Sequence, residues 1–184
     1  DIDFSNYLTL MQDRDRAIKN RKLSDPTKVD ATIKYMDKVY KAELRLKGDG
    51  QDHWQSKYRM SLRVQLKNGK TILGFSAFSI QKPSVRQHPY DSIFQSLVRD
   101  TGGIAPVHKF AHIFVNGEDW GVMDIEEHMS KELLEKQNRK ESIIVSFFND
   151  SKWIYLQKSK LPYSGYRPSD PFIFLHLYSD KKSL

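Results

Sequence analysis

Residues 45–63 read RLKGDGQDHWQSKYRMSLR: an alternating segment, a connection rich in Gly and Asp, then a second alternating segment carrying arginines. Gly48 and Gly50 let the backbone turn sharply and approach a ligand with no Cβ in the way. On the outgoing segment Met60, Leu62, Val64 and Leu66 share one parity, while Arg59, Ser61 and Arg63 share the other. A side-chain period of two therefore predicts a strand over 59–67 with an apolar inner face and two guanidiniums standing together on the opposite one. A tight turn beside paired arginines suits a phosphate or another polyanion. A solvated hairpin with basic residues on its wet face accounts for the same residues, because glycine-rich turns are common.

Working outward, the period of two continues on both sides. Ala31, Ile33 and Tyr35 alternate, and after a turn near Asp37-Lys38 so do Tyr40, Ala42, Leu44 and Leu46. Asn68-Gly69 is a tight-hairpin signal, with a return strand predicted over 71–80. Four or five antiparallel strands in a row thus precede the next helix. Before them, Asp3 stands where it can cap a helix carrying Phe4, Tyr7, Leu8, Met11 and Ile18 at helical spacing, with a basic end at residues 19–22. Asp13 and Asp15 favour packing over a membrane-surface role for this helix, and Asp25-Pro26 breaks the chain after it.

Downstream, Pro83 and Pro89 bound a loop with Arg86 and His88. A helix is predicted over 91–99, with Ile93, Phe94, Leu97 and Val98 on one face, stopped by Thr101-Gly102-Gly103. A hairpin over 108–115 and 120–125 turns at Asn116-Gly117, and a helix over 130–139 leads to a strand at 143–148. Beyond Asn149 the pieces lack complete partners: 153–155, a loop at 163–168, and an apolar helix start at Phe172 after Asp170-Pro171. The organisation read from this is an N-terminal helix and loop (1–29), a sheet region (30–150) and a tail (151–184).

Composition bounds the partners. The chain has 184 residues, 39% hydrophobic, with few Gly and Pro, enough for one packed domain or a piece of one. No apolar run approaches the ~20 residues of a membrane-spanning helix. Without cysteine there are no disulfides, thiolate metal sites or cysteine nucleophiles. A net charge of +7 favours anionic partners. Beginning at Asp1, without an initiator Met or a signal-like apolar segment, the sequence reads as a processed or excised piece.

Against these features the catalytic motifs are sparse. None of the six histidines forms the i, i+4 helical pair of a zinc protease. His108 and His112 share a strand face, where packing explains them better than metal binding. Asp49, Asp52 and His53 could hold a hard cation beside a phosphate, or simply stabilise a turn. No serine elbow and no complete Walker loop occurs. Asp124, Glu126 and Glu127 lie where a strand hands over to a helix, either as an acidic helix start or as a buried partner for an arginine brought close by the sheet.

Taken in order, these segments resemble the spore coat protein H (CotH) kinase-like family. The resemblance runs through Arg45-Leu46-Lys47-Gly48-Asp49, Asp52-His53-Trp54, Ser61-Leu62-Arg63 and Gly74, then residues 78–83 with Arg86, residues 115–121, and Glu126-Glu127-His128. It covers roughly residues 30–150. It implies an α+β fold, an antiparallel sheet with flanking helices like the small, nucleotide-covering N-lobe of an atypical protein kinase, in an incomplete domain. ATP, Mg2+ and a Ser- or Thr-bearing protein substrate come with that inference, as does a secreted, cell-surface or spore-surface setting in bacteria. By analogy Lys47, Gly48 and Asp49 belong to a connection covering the phosphates, Lys57, Arg59, Arg63 and Arg86 are the cationic contacts, and Glu126 orders the site.

Two departures accompany the resemblance. Where members of the family commonly carry Lys shortly before the S-x-R segment, this chain has Arg59, with Lys57 two residues earlier. The catalytic and metal-binding carboxylates are expected in a later region, and neither an H…N stretch nor a P-x-x-x-D-like segment follows Asn149. The sequence therefore predicts a nucleotide-binding lobe without catalytic residues or metal ligands of its own, inactive alone, whose parent transfers phosphate from ATP to Ser or Thr. The alternative is a non-catalytic basic module for an anionic polymer or protein partner. A nucleic-acid role ranks last, because the aromatics and basic residues follow no recognised RNA-binding signature.

Overall fold

The alternation of residues 29–81 is written into four of the six antiparallel strands of one sheet in the computed structural model, which describes residues 1–140, 142, 144–148 and 174–178. Helix α1 (Phe4–Asn20) comes first, then β1 (Val29–Tyr35), β2 (Lys38–Leu46), β3 (Leu62–Leu66) and β4 (Ala77–Gln81) as a meander. Helix α2 (Tyr90–Asp100) crosses to the edge strand β5 (His108–Val115), and β6 (Glu118–Glu127) returns between β5 and β4. The strand order is β1-β2-β3-β4-β6-β5. A short helix α3 (Lys131–Lys136) follows, and β7 (Ile144–Phe148) pairs with β8 (Phe174–Tyr178) in a separate two-stranded sheet. The fold is α+β, an antiparallel sheet with a few helices.

One face of the six-stranded sheet is the core. Leu44, Leu46, Leu62, Val64, Leu66, Phe78, Ile80, Met123 and Ile125 alternate inward from four adjacent strands and are buried. Helix α1 contributes Leu10 and Ala17 to the same cluster. Each such side chain, removed from water, stabilises the fold by about 1.5–3 kcal/mol. Helix α1 also grips the connection between β2 and β3. Its buried Arg14 donates to the carbonyls of Gln55 and Ser56, the chain on either side of which carries fully buried Trp54 and Met60. Among the described residues no helix is long and apolar enough to cross a membrane.

Several elements depart from the sequence pattern. Helix α1 begins at Phe4 with Asp3 in the cap position, yet the Asp3 side chain makes no capping bond. Strand β3 begins at Leu62, so the predicted strand over 59–67 is shorter, and Arg59 takes a left-handed bend at φ +59° ahead of it. Arg59 and Arg63 therefore do not stand side by side on one strand. Asn68-Gly69 does turn with both residues at positive φ, closed by Lys70 N–H to the Lys67 carbonyl. It does not join the strands directly: a second tight turn at Leu73-Gly74, framed by a bridge between Ile72 and Phe75, intervenes before β4 starts at Ala77. Residues 174–178 form strand β8, where a helix start was expected from Phe172. The segments at 153–155 and 163–168 lie outside the described residues.

The connection from β2 to β3 is closed on itself. Lys47 N–H donates to the Ser61 carbonyl, Ser61 N–H to the His53 carbonyl, and the Trp54 indole to the Gly48 carbonyl at 2.9 Å. Gly48 sits at φ +95°, and a Cβ there would lie 2.1 Å from the His53 ring. Gly48→Ala is expected to lower stability by about 2 kcal/mol or more, from backbone strain plus displacement of His53. Gly69→Ala, at φ +62° with open space around it, should lose only about 1 kcal/mol. Urea unfolding of both variants checks this, and equal losses would remove the His53 contact from the account.

Candidate functional site on the polar face of the sheet

The face opposite the core carries the other parity of the same strands, and it is polar. Register sets the rows. Arg45 pairs with Arg63, Arg63 with Ser79, Ser79 with Glu126 and Glu126 with His108. One step along, Gln81 pairs with Asp124, and Lys47 continues the parity of Arg45 just past the end of β2. Polar side chains from five strands are thereby aimed at one patch, although two that meet there, Lys47 and Glu126, lie 79 positions apart in the chain. This patch is largely closed to water: Ser61, Ser79, Gln81 and Asp124 are all buried.

Glu126 is its centre. Oε2 accepts from Lys47 Nζ at 2.7 Å and from Gln81 Nε2 at 2.8 Å. Arg86 Nη2 reaches both carboxylate oxygens, at 2.6 and 2.7 Å. The side chains of Lys47 and Glu126 are 14% and 13% exposed, so this pair is largely shielded from water and its charges are strongly felt. Burial would push the Glu126 carboxyl up, but Lys47 and Arg86 hold it down at about 2. Lys47 shares its one carboxylate with a second cation. Burial, together with Arg86 and Arg63, brings its ammonium down to about 8 against the pull of Glu126.

The remaining cations are less well compensated. Burial, with Arg45 and Arg86 nearby, brings the Arg63 guanidinium down to about 10 in spite of Glu126. Burial and the charges of Arg63, Lys47 and Arg45 push His128 down to about 4. Burial and the charges of Lys47 and Arg86 push His53 to the same range against the pull of Asp52 and Glu126, and its Nδ1 shares a 2.8 Å hydrogen bond with Ser61 Oγ. Two neutral imidazoles thus flank a cationic patch. Among the described residues, buried side-chain donors without a hydrogen-bond partner gather on this face: Arg63 Nε and Nη1, Ser79 Oγ, Arg86 Nε and His108 Nε2, with Arg59 Nε the other. Donors left in this state attract acceptors, and a phosphate offers several.

The carboxylates are spoken for. Both oxygens of Glu126 accept from cations, both oxygens of Asp124 lie within 3.0 Å of His108 Nδ1, and Glu127 faces Lys136 Nζ at 2.6 Å. No group of three or more His, Asp or Glu among the described residues is arranged to hold a metal ion. A cleft of about 380 Å3 adjoins the patch, lined by Val85, Arg86, Gln87, Tyr90, Asp91 and Phe94, with Arg86 as the shared wall.

The residues singled out in the sequence divide into two groups. Lys47, Arg63, Arg86 and Glu126 come together on the patch, and Gly48 and Asp49 lie in the turn directly after Lys47. Lys57 is exposed on the outer part of the connection. Arg59 is turned away from Glu126: its Nη2 donates to the Val122 carbonyl of β6, beyond the end of β4, at 2.9 Å. The acidic run at 124–127 ends β6 and is not a helix start, since α3 begins at Lys131. Gln81, Ser79 and His108 were missed as members, and Asp124, expected at most as a buried partner for an arginine, pairs with His108 instead. The alternation within Phe78-Ser79-Ile80-Gln81 carries the signal for two of them, since Ser and Gln occupy the parity opposite Phe and Ile.

Compared with models of known protein families, the chain matches the one described as CotH kinase protein over residues 44–167. No curated protein matches the chain.

Removing the central carboxylate while keeping its shape strands the largely shielded Lys47 and leaves the partly exposed Arg86 without its ion pair. Glu126→Gln is expected to cost about 3–5 kcal/mol at pH 7. Because the folded carboxyl sits near 2 against an ordinary 4.5, its contribution is complete above about pH 5 and is lost as pH falls from 4.5 towards 2. The stability gap between the parent and Glu126→Gln should therefore close on acidification through that window. Denaturant titrations at pH 7, 4 and 3 measure it, and a gap independent of pH would rule out an ionised Glu126 as its source.

Proposed function

The chain belongs to the CotH kinase family, and from that premise we propose that its polar sheet face holds the phosphates of ATP. In this reading the lobe covers the nucleotide, and the parent protein transfers the γ-phosphoryl group to Ser or Thr of a secreted or surface protein. Phosphoryl transfer rests on positioning and charge neutralisation, so a basic patch of fixed geometry is the contribution expected of such a lobe. The observation that carries the proposal is Arg63: a half-buried arginine whose Nε and Nη1 are buried and unpartnered, beside a lysine whose only carboxylate is shared with another cation.

The roles follow from what each side chain touches. Lys47 and Arg63 meet phosphate oxygens, while Glu126 keeps Lys47 and Arg86 ordered before the ligand arrives. Gly48 and Asp49 form the adjoining turn over the phosphates, and Arg86 stands where the patch opens into the cleft. Arg59 and Lys57 act at a distance, through the field of the patch. Mg2+ does not fit the carboxylates described here, whose oxygens already face cationic or amide donors. Ligands for it and the catalytic carboxylate come from outside the described residues, and this chain alone does not transfer phosphate.

Calorimetric titration of the intact protein with ATP, with and without Mg2+, is the direct test. ATP binding is expected, with Arg63→Ala weakening it about tenfold or more and Arg63→Lys failing to restore it, since an ammonium cannot replace the guanidinium fork. Arg59→Ala should stay within about twofold, its guanidinium being engaged with a backbone carbonyl. Binding indifferent to nucleotide identity, and lost steeply with salt, would instead assign the face to a general polyanion.

A further inference from the structure

We propose that His108, Asp124 and Gln81 form a positioning chain that fixes Lys47 and links it to helix α2. The proposal rests on the reading of Lys47 as a phosphate contact, but its geometry stands apart from any ligand. Gln81 is wholly buried, and its amide has one donor end and one acceptor end. Nε2 donates to Asp124 Oδ2 at 3.1 Å and to Glu126 Oε2 at 2.8 Å. That leaves Oε1 facing Lys47 Nζ at 3.1 Å. A flipped amide would set a carbonyl against two carboxylates and an NH2 against an ammonium. The two carboxylates thus dictate which end of Gln81 meets Lys47.

Asp124 in turn needs an owner for its charge. It is 1% exposed, and His108 faces both of its oxygens with Nδ1 at 2.9 and 3.0 Å. A carboxylate accepts only, so Nδ1 carries the hydrogen. Burial would push His108 down, yet the bond to Asp124 and the charges of Asp124, Glu126 and Asp91 bring it above its ordinary value. The His108 ring is itself only 4% exposed, and its Nε2 has no hydrogen-bond partner. That nitrogen stands 3.9 Å from Asp91 Oδ2 on α2.

The α2 end of the chain matters because the helix is otherwise weakly held. It buries none of its residues, and it exposes Tyr90, Ile93, Phe94 and Leu97 along one stripe. Asp91, in its first turn, faces His108 and lies 3.8 Å from Arg86 Nε. A protonated His108 therefore draws α2 and its cleft towards the sheet while holding Asp124 in place for Gln81. The groups facing His108 are Asp91 from α2 and Asp124 and Glu126 from β6, with Arg86 beside Asp91 from the turn at 83–86. A contact between His108 and the ligand is not required, so it is a positioning residue.

The test follows the Lys47 amine itself by NMR of 15N-lysine-labelled intact protein, assigned with Lys47→Arg. In the parent protein the Lys47 signal should show a second inflection coinciding with the titration of His108, measured from its own ring resonances. In His108→Asn, Asp124 loses its cation, and the Lys47 midpoint should rise by roughly one unit, the size expected of an uncompensated charge in the same buried network. ATP affinity of the parent should fall as pH rises through the His108 midpoint, and this dependence should be absent in His108→Asn. If Lys47 responds as described while ATP does not bind, the chain stands and the nucleotide reading fails. No second inflection in the parent protein, or an unmoved Lys47 midpoint in folded His108→Asn, overturns the proposal; the parent titration decides alone should the variant not fold.

Discussion

A single carboxylate, Glu126, holds two cations at once on the polar sheet face: Lys47, largely shielded from water, and Arg86, about a third exposed. Everything around it follows from the cost of that arrangement. Removing charges from water costs several kcal/mol per ion, and only good geometry with further hydrogen bonds offsets it. Here the geometry comes from strand register: β4 and β6 place Ser79 opposite Glu126 and Gln81 opposite Asp124, while β2 and β3 deliver Lys47 and Arg63 from the other side. The core beneath is ordinary and apolar, and it makes this possible. A four-strand apolar face fixes register, because slipping one strand by a single residue would exchange its polar and apolar faces.

The polar face is nevertheless not neutral. Asp124 has one cationic partner there, His108, while Glu127 has the parity of Ile125 and meets Lys136 on the other face. Glu126 serves Lys47 and Arg86 together, and Arg45 stands directly across from Arg63 in register. Like charges opposite one another on a sheet are destabilising. The downward push on Lys47, Arg63 and His128 has a common origin in this surplus, added to burial. An anion entering the patch would relieve all three at once, which stability alone would not have required.

Much of this was legible in the sequence, and the boundary is informative. The period of two found the sheet, its apolar face and the position of Arg63, because strand alternation is a local signal. It failed at Arg59, where a left-handed backbone ends the alternation before the strand begins, and no side-chain pattern marks that. It read Asn68-Gly69 as a simple hairpin, because nothing local announces the second turn at Leu73-Gly74. The link from Gln81 to Asp124 and Glu126 escaped for a different reason. It depends on β4 pairing with β6, segments more than 40 residues apart that no local window contains. The family resemblance reached Glu126 as an ordering residue; only the register shows that Lys47 is what it orders.

The same register bears on the lysine expected just before the S-x-R segment. Lys57, nearest in sequence, is exposed, and Arg59 is committed to the Val122 carbonyl. Lys47 lies 14 positions before Ser61, yet its backbone N–H is bonded to the Ser61 carbonyl, and its ammonium enters the patch from the neighbouring strand. A cation beside the Ser61-Leu62-Arg63 segment is therefore present in space even though it is displaced in sequence. An arginine at the Lys47 position would not be equivalent: a planar guanidinium is longer, already forms the opposite side of the Glu126 clamp as Arg86, and is far harder to deprotonate. The two sides of the clamp are thus chemically distinct. Arg86 holds Glu126 with a fixed charge, while Lys47, at about 8, keeps a charge that its neighbours can adjust.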